Sequence, residues 1–203
     1  MHHLNEQQIE RQLDAALSTL DLDRFTTLGE AGDQLVAARE ARLTAPDALA
    51  NAARWYAGQG IPVFPLMPGE KKPFPGSRGF KDATTDPDQI SRWWTNHPQA
   101  NIGVPTGGLF DVIDIDGEQG ALSYRELRHT DVIPRIYGKA TTGRPCSRHL
   151  YIAATGDGNS AGVWPGIDYR GAGGYVVAPP SRTTRRYDWE QPLDLAGLKA
   201  AAK

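Results

Sequence analysis

The sequence has little cysteine, no long apolar run and no strong net charge. Cys146 is the only cysteine among 203 residues, so an internal disulfide is impossible and a cysteine-based zinc ribbon is disfavoured. No apolar run approaches the ~18 residues of a membrane span, and the first residues lack the features of a signal peptide. The 22 Lys and Arg nearly balance the 24 Asp and Glu, which argues against a protein that coats nucleic acid by charge alone. We therefore expect a soluble, cytoplasmic protein.

The sequence does carry enough apolar surface for a folded core. Hydrophobic residues make up 39% of the chain, with 5 Trp, 7 Tyr and 5 Phe. This length fits one domain, or one domain with a small appendage. Predicted helices and strands are interspersed, which indicates an α/β or α+β core built on a mixed sheet.

Helices are predicted where apolar residues recur at helical spacing. The predicted helices cover residues 9–20, 34–42, 46–58, 87–94 and 117–128, with 21–32 as a connection and 195–203 as a helix or tail. Asp86 is expected to cap the fourth of these, because it precedes Pro87 at the first helical position. Short apolar and β-branched runs predict strands at 61–66, 101–104, 109–115, 135–141, 149–153 and 175–178.

The strongest chemical signal is the pair Asp114 and Asp116 at the end of an apolar strand. Alternate strand residues share a face, and two steps separate their Cα atoms by roughly 6.6 Å. Carboxylates at this spacing are suited to hard cations, and oxygen-only ligation favours Mg²⁺ or Mn²⁺ over zinc. Asp111 has the opposite parity and is expected to face elsewhere. The alternative is a simple turn after a buried strand, helped by Gly117.

A second signal is Ser147-Arg148-His149, which leads into an apolar strand. Imidazole and guanidinium groups are both suitable donors to triphosphate oxygens. The alternative is a structural histidine with satisfied hydrogen bonds. The single cysteine beside this segment gives little support to a metal or nucleophile role.

A third signal is Asp168, an isolated acid that is followed by Gly171, Gly173 and Gly174. These glycines permit tight turns and close approach of the backbone to a ligand, and a plain glycine-rich hairpin is the alternative. Neither the dinucleotide fingerprint nor a phosphate-loop motif occurs, so the common nucleotide-binding folds are disfavoured.

Positive charge is concentrated in residues 120–190, which hold ten basic and six acidic side chains, whereas residues 1–60 are acidic on balance. A local basic surface can attract a polyanion, and a solvated face is the alternative.

The order of these signals is more specific than any one of them. A strand with Asp-x-Asp, then Ser-x-His, then a single Asp resembles the three-part pattern of archaeo-eukaryotic primases. The chain is similar to the bifunctional primase-polymerase domain of that superfamily over roughly residues 50–190. Further matching segments are Trp55-Tyr56-Ala57, Gly60 to Leu66, Lys72-Pro73, Trp93-Trp94, Asn101 to Gly107, Asp168 to Gly171 and Ala178 to Ser181.

The resemblance implies an α+β fold with an RRM-like mixed-sheet catalytic core, an accessory α/β unit and an N-terminal helical extension. Residues 1–45 would form the extension, 46–195 the catalytic domain and 196–203 a tail or linker. The implied activity is synthesis and extension of primers on single-stranded DNA from NTPs or dNTPs, in replication of a plasmid, phage or integrated element. A helicase domain or a separate helicase is an expected partner, and a membrane is not.

By the same resemblance, Asp114, Asp116 and Asp168 are catalytic and hold two Mg²⁺ or Mn²⁺ ions. His149, Ser147, Arg148 and Arg170 are the implied nucleotide-binding residues. Many relatives have Glu where this chain has Asp116, and some carry a zinc-binding element that one cysteine cannot build. Two other functions remain open at this stage: a non-catalytic DNA-binding replication module, and a metal-dependent glycosyltransferase that uses the Asp-x-Asp pair.

Overall fold

The computed structural model describes residues 22–201, which fall into two units divided at residue 48. The first unit contributes helix α1 (Leu22–Thr44). The helix predicted over 9–20 lies outside the described residues. The connection predicted over 21–32 was wrong, because α1 runs through it from residue 22. That segment contains no proline, and an isolated glycine inside a helix costs only about 1 kcal/mol.

The second unit holds the remaining helices and all the strands of the described residues. In chain order they are α2 (Ala48–Gly58), β1 (Phe64–Leu66), a 3₁₀ helix (Gly79–Asp82), α3 (Pro87–Asn96), β2 (Asn101–Pro105), β3 (Phe110–Ile115), α4 (Gly117–Leu127), β4 (Ile136–Thr141), β5 (Arg148–Ala153), β6 (Ser160–Trp164), β7 (Ile167–Arg170), β8 (Tyr175–Ala178), β9 (Trp189–Gln191) and α5 (Leu195–Ala201). The six predicted strands correspond to β1–β5 and β8, whereas β6, β7 and β9 were not predicted. The α+β class is confirmed.

The strands form two antiparallel sheets. One has the order β1-β2-β8 and the other the order β6-β7-β3-β5-β4-β9. The mixed sheet expected from the sequence was wrong, since every pairing between these strands is antiparallel. Strands β3 and β4, which are joined through α4, do run parallel to each other. They are not neighbours, because β5 lies between them.

Strand β3 is buried along its whole length because both faces of the larger sheet are covered. Val112 lies in a core shared with α2, α3 and the smaller sheet. Ile113 and Ile115 face a second core with Leu127 of α4. Each fully buried Ile contributes about 1.5–3 kcal/mol relative to exposure. This double coverage explains the continuous apolar run in the sequence, and it buries Asp114 together with its neighbours.

Helix α3 begins as the sequence predicts. The Asp86 carboxylate accepts a hydrogen bond from the Asp88 N–H at 2.9 Å, and Pro87 occupies the first helical position. Trp94 is buried and donates its indole N–H to the Ala100 carbonyl at 3.0 Å. Trp93 is partly buried against the same core. Both rings therefore serve packing in this unit.

The C-terminal segment also belongs to the folded unit. Leu198 of α5 is fully buried in the core that contains Val112. The segment assigned from the sequence to a tail thus supplies a core residue. Among residues 22–201, none of the helices combines the length and the apolar content needed to cross a bilayer.

The start of α4 lies directly against the turn between β6 and β7. The Asp116 N–H donates to the Gly166 carbonyl at 2.8 Å, and a Cβ added at Gly120 would lie 2.2 Å from the same oxygen. Glycine at position 120 lets the two backbones approach. This contact draws the residue before α4 toward β7, the strand that carries Asp168.

Substitution of Gly120 by alanine is expected to loosen this contact. Overpacking against backbone costs about 1–3 kcal/mol, so Gly120→Ala should lower the midpoint of thermal unfolding by about 3–10 °C for a chain of this length. Gly58→Ala is the matched control, because no atom lies within 4 Å of an added Cβ there. Equal midpoints for the two variants would contradict the close approach.

Candidate active site

Three polar side chains form one row across the larger sheet. In the strand registers, Asp114 of β3 is paired with Asp168 of β7 on one side and with His149 of β5 on the other. Directly paired residues of antiparallel strands project from the same face with Cβ atoms about 4.5–5.5 Å apart. The pairing register therefore brings together residues that are 54 positions apart in the sequence, from Asp114 to Asp168.

Asp116 joins this row from the end of β3. It occupies the N-cap position of α4, yet its side chain makes no capping hydrogen bond. Asp114, Asp116 and Asp168 each offer a carboxylate oxygen, and these oxygens lie within 4.8 Å of one another. Asp114 is buried and the other two are half-buried.

The donor set fits a hard divalent cation. Three carboxylates supply only oxygen ligands, which suit Mg²⁺ and Mn²⁺. Burial raises the pKa of the Asp116 carboxyl above its ordinary value, and repulsion from Asp114 raises it further. The positive charges of Lys71 and Arg144 act against this rise. A cation bound by all three carboxylates would relieve the same repulsion.

Arginine provides counter-charge to this cluster. Nη2 of Arg170 lies 2.7 Å from Asp168 Oδ2 and 3.4 Å from Asp114 Oδ2. Arg144 Nη1 lies 3.8 Å from Asp116 Oδ1. The other oxygen of Asp168 accepts a hydrogen bond from the Gly162 N–H at 2.7 Å. These contacts hold the carboxylates in place from both ends of the cluster.

His149 is a neutral imidazole at neutral pH. Burial lowers its pKa to about 4, although the neighbouring Asp114 carboxylate opposes this shift. Its Nε2 lies 3.5 Å from Asp114 Oδ1, so this contact is not an ion pair between full charges. Its Nδ1 is buried and has no hydrogen-bond partner among the described residues. An unsatisfied buried nitrogen is costly and is suited to a ligand.

Ser147 contacts the backbone rather than the cavity. Its buried hydroxyl accepts a hydrogen bond from the Gly117 N–H at 2.7 Å and donates to the Pro145 carbonyl at 3.3 Å. The residue that it holds directly follows Asp116. In this structure Ser147 therefore positions the Asp116 carboxylate at the start of α4.

Arg148 is the one predicted site residue that lies apart from the others. Strand alternation places it on the face opposite to His149, and its Nε lies 2.9 Å from a carboxylate oxygen of Glu190. Its predicted contact with nucleotide phosphates stays a prediction. Arg170, in contrast, lies beside two of the three carboxylates.

A cavity of about 270 Å³ opens beside the carboxylates, between β8 and the larger sheet. Its lining includes Asp114, His149 and Arg170, together with Lys71 and Asn159. Lys71 comes from the lysine-containing loop after β1, and no motif in the sequence indicates Asn159. The phenolic ring of Tyr187 also borders the cavity, 5.8 Å from the His149 ring.

The glycine-rich segment contributes to this cavity mainly through packing. A Cβ added at Gly174 would lie 2.2 Å from Asn159 Oδ1, and one at Gly171 would lie 2.2 Å from the Asp157 carbonyl. Gly173 borders the cavity, and no atom lies within 4 Å of an added Cβ. The sequence predicts that the backbone approaches a ligand closely at these glycines. At Gly171 and Gly174 the close neighbours are instead protein atoms of residues 157–159.

Residues 53–201 match the family described as bifunctional DNA primase/polymerase, N-terminal. The match covers well over half of the chain and contains every candidate site residue. The chain belongs to this Prim-Pol family, which confirms the resemblance drawn from the sequence. Comparison with curated proteins finds no significant match to this chain.

Proposed function

We propose that this protein is a DNA-templated nucleotidyltransferase that synthesises primers and extends them. The observation that supports this most strongly is the meeting of Asp114, Asp116 and Asp168 next to a cavity that is lined by Asp114, His149 and Arg170. Family membership supports the same activity. Neither a glycosyltransferase nor a passive DNA-binding module explains all of these residues together.

In this proposal the three carboxylates hold two Mg²⁺ or Mn²⁺ ions. When bound, such ions activate the attacking hydroxyl and stabilise the charge on the departing pyrophosphate. The chain's own residues position the reactants, which supplies much of the catalysis of phosphoryl chemistry.

The cavity residues have distinct roles in this account. Arg170 shares its guanidinium between Asp168 and Asp114 and presents its remaining donors to triphosphate oxygens. His149 offers an uncharged ring donor from a buried position. Lys71 adds a second positive charge at the cavity. Ser147 holds Asp116 in place, and Arg148 stays a candidate phosphate contact.

The fold supports a further proposal about the catalytic core. The chain passes from β3 through α4 to β4, and β5 then inserts between β3 and β4. This is the split βαβ arrangement of ferredoxin-like folds. We propose that β7-β3-β5-β4 is the RRM-like core and that the smaller sheet belongs to the accessory unit. We also propose that residues 1–45 form an N-terminal extension. The protein would act in the cytoplasm, in the replication of a plasmid, phage or integrated element, and would work together with a helicase.

The experiment combines a single-stranded DNA template, labelled NTPs or dNTPs, and each divalent metal in turn. The proposal predicts labelled products longer than one nucleotide with Mg²⁺ or Mn²⁺ and none with EDTA. DNA binding without nucleotide incorporation in the presence of any of the metals would favour the non-catalytic module. Turnover of sugar nucleotides without DNA would favour the glycosyltransferase.

A further inference from the structure

Three loops that contact one another next to the carboxylate cluster carry exposed basic side chains. The structure assigns to Lys71, Arg144, Arg182 and Arg185, which we term the basic rim, the binding of a nucleic-acid strand through its phosphates. This inference rests on the proposed function and specifies where its DNA strand lies. All four side chains are exposed.

The Asn101 side chain forms hydrogen bonds to two of these loops and holds them together. Its Nδ2 donates to the carbonyls of Glu70 at 2.9 Å and Arg182 at 2.8 Å, and its Oδ1 accepts from the Arg182 N–H at 2.9 Å. The loop that carries Lys71 is thus tied to the loop that carries two arginines of the basic rim. The Lys71 carbonyl also accepts a hydrogen bond from the Tyr175 hydroxyl at 3.1 Å.

The third loop packs against the second. A Cβ added at Gly143 would lie 1.8 Å from Thr183 Oγ1, so these two residues are in contact. Arg144 follows directly and reaches within 3.8 Å of Asp116. The basic rim therefore extends from the carboxylate cluster, across Arg144, to the loop of Arg182 and Arg185.

Charge pairing distinguishes Arg182 and Arg185, the two outer arginines of the basic rim, from several arginines near them, whereas Arg144 of the rim lies 3.8 Å from Asp116. Outside the basic rim, Arg148 pairs with Glu190, Arg186 with Asp188, and Arg170 with Asp168. Arg182 and Arg185 have no acidic partner among the described residues. Two acids of the loops that meet here are already engaged, since Glu70 lies 3.7 Å from Lys72 and Asp188 binds Arg186. Unpaired exposed cations beside a reaction site attract a polyanion.

The position of the two arginines favours a strand over the triphosphate of a nucleotide. Arg170 and His149 line the cavity, and Lys71 is the one member of the basic rim that borders it, whereas Arg182 and Arg185 do not line it. The triphosphate would have its own contacts within the cavity. A run of phosphates that leads away from the cavity would meet the two outer arginines.

Asn101→Ala tests the anchoring of these loops. Asn101 is buried, and its loss leaves three buried or partly buried backbone hydrogen bonds unmade, which destabilises the fold. We expect a midpoint of unfolding lower by about 4–12 °C. Asn96→Ala, an exposed asparagine at the end of α3, should leave the midpoint nearly unchanged. An Asn101→Ala protein with the wild-type midpoint of unfolding would contradict the role of Asn101 in holding the two loops together.

The basic rim itself is tested by the anisotropy of a labelled oligonucleotide of about 20 nucleotides, with the full chain in EDTA so that no reaction occurs. The variant is Arg182→Glu with Arg185→Glu. The control is Arg125→Glu with Arg128→Glu, two exposed arginines at the end of α4, which covers the other face of the larger sheet.

The rim variant should bind at least about tenfold more weakly, and its plot of log affinity against log salt should be shallower by about two. The control should stay within about twofold of the wild type. Equal losses in both variants, or no loss in the rim variant, would overturn the inference. Because charge reversal can disturb folding, Arg182→Gln with Arg185→Gln repeats the test, and its thermal unfolding is checked.

Binding of a fluorescent NTP in the presence of Mn²⁺ shows whether the basic rim contacts the triphosphate of the nucleotide or the phosphates of the DNA strand. A rim variant that loses nucleotide binding and keeps DNA binding would overturn the inference in favour of the triphosphate. Failure of the proposed function looks different: the wild type would bind DNA through the basic rim but incorporate no nucleotide.

Discussion

Asp114→Asn is expected to reduce nucleotide incorporation by about a thousandfold or more, because each cation contact supplies several kcal/mol of charge stabilisation in the transition state. Asp114 is the buried, central member of the cluster, paired across the sheet with both Asp168 and His149. The amide keeps the shape of the side chain and removes only its charge. Steady-state incorporation on a primed template measures the effect.

The fold of the Asp114→Asn protein should survive. Removing one of three neighbouring like charges relieves repulsion, so the midpoint of unfolding in EDTA should be equal to the wild-type value or higher. Asp131→Asn, an exposed carboxylate after α4, is the matched control and should keep full activity. Normal incorporation by a folded Asp114→Asn protein would exclude the carboxylate cluster as the catalytic site.

Arg170→Met is expected to impair both activity and stability. Its guanidinium contacts Asp168 at 2.7 Å and Asp114 at 3.4 Å and borders the cavity. Loss of a preorganised donor to developing charge lowers the rate by about a hundredfold. The side chain is 32% exposed, so screening limits the loss of stability to about 1–2 kcal/mol, or about 2–8 °C in the midpoint.

The diagnostic result for Arg170→Met is its dependence on metal. Without the arginine, the carboxylates lack their main counter-charge in EDTA, and Mn²⁺ should restore most of the lost midpoint. Arg78→Met is the control, because Arg78 pairs with Asp82 at the same 2.7 Å and does not line the cavity. The midpoint of that control should shift equally in EDTA and in Mn²⁺. A metal-independent loss in Arg170→Met would contradict the role of Arg170 as counter-charge.

The sequence singled out the three acids that meet in the structure, but it predicted only one of the two strands that carry Asp114 and Asp168. Asp114 lies in β3, which its apolar composition identifies, and Asp116 directly follows that strand. Asp168 was recognised as an isolated acid, but its strand β7 has only four residues. Its neighbour β6 is exposed along its length and shows no alternation of apolar and polar residues. Such strands are defined by pairing with β3, which local patterns do not reveal.

The remaining site residues depend on tertiary contacts. Lys71 reaches the cavity from a loop 43 residues before Asp114, and Asn159 from a loop that lies ten residues after His149 and nine before Asp168. The hydroxyl of Ser147 could be placed near the site from its spacing, but its bond to the Gly117 N–H requires the packing of the 145–147 turn on α4. Strand alternation in β5 places Arg148 on the face opposite to His149, and its contact with nucleotide phosphates stays a prediction.

Crystals grown with Mn²⁺ and a non-hydrolysable nucleotide would test the central claim most directly, because anomalous scattering locates the metal. We expect Mn²⁺ peaks bounded by the carboxylates of Asp114, Asp116 and Asp168, with the triphosphate in the cavity beside His149. Occupied Mn²⁺ sites elsewhere in the protein, with these three carboxylates left without metal, would contradict it.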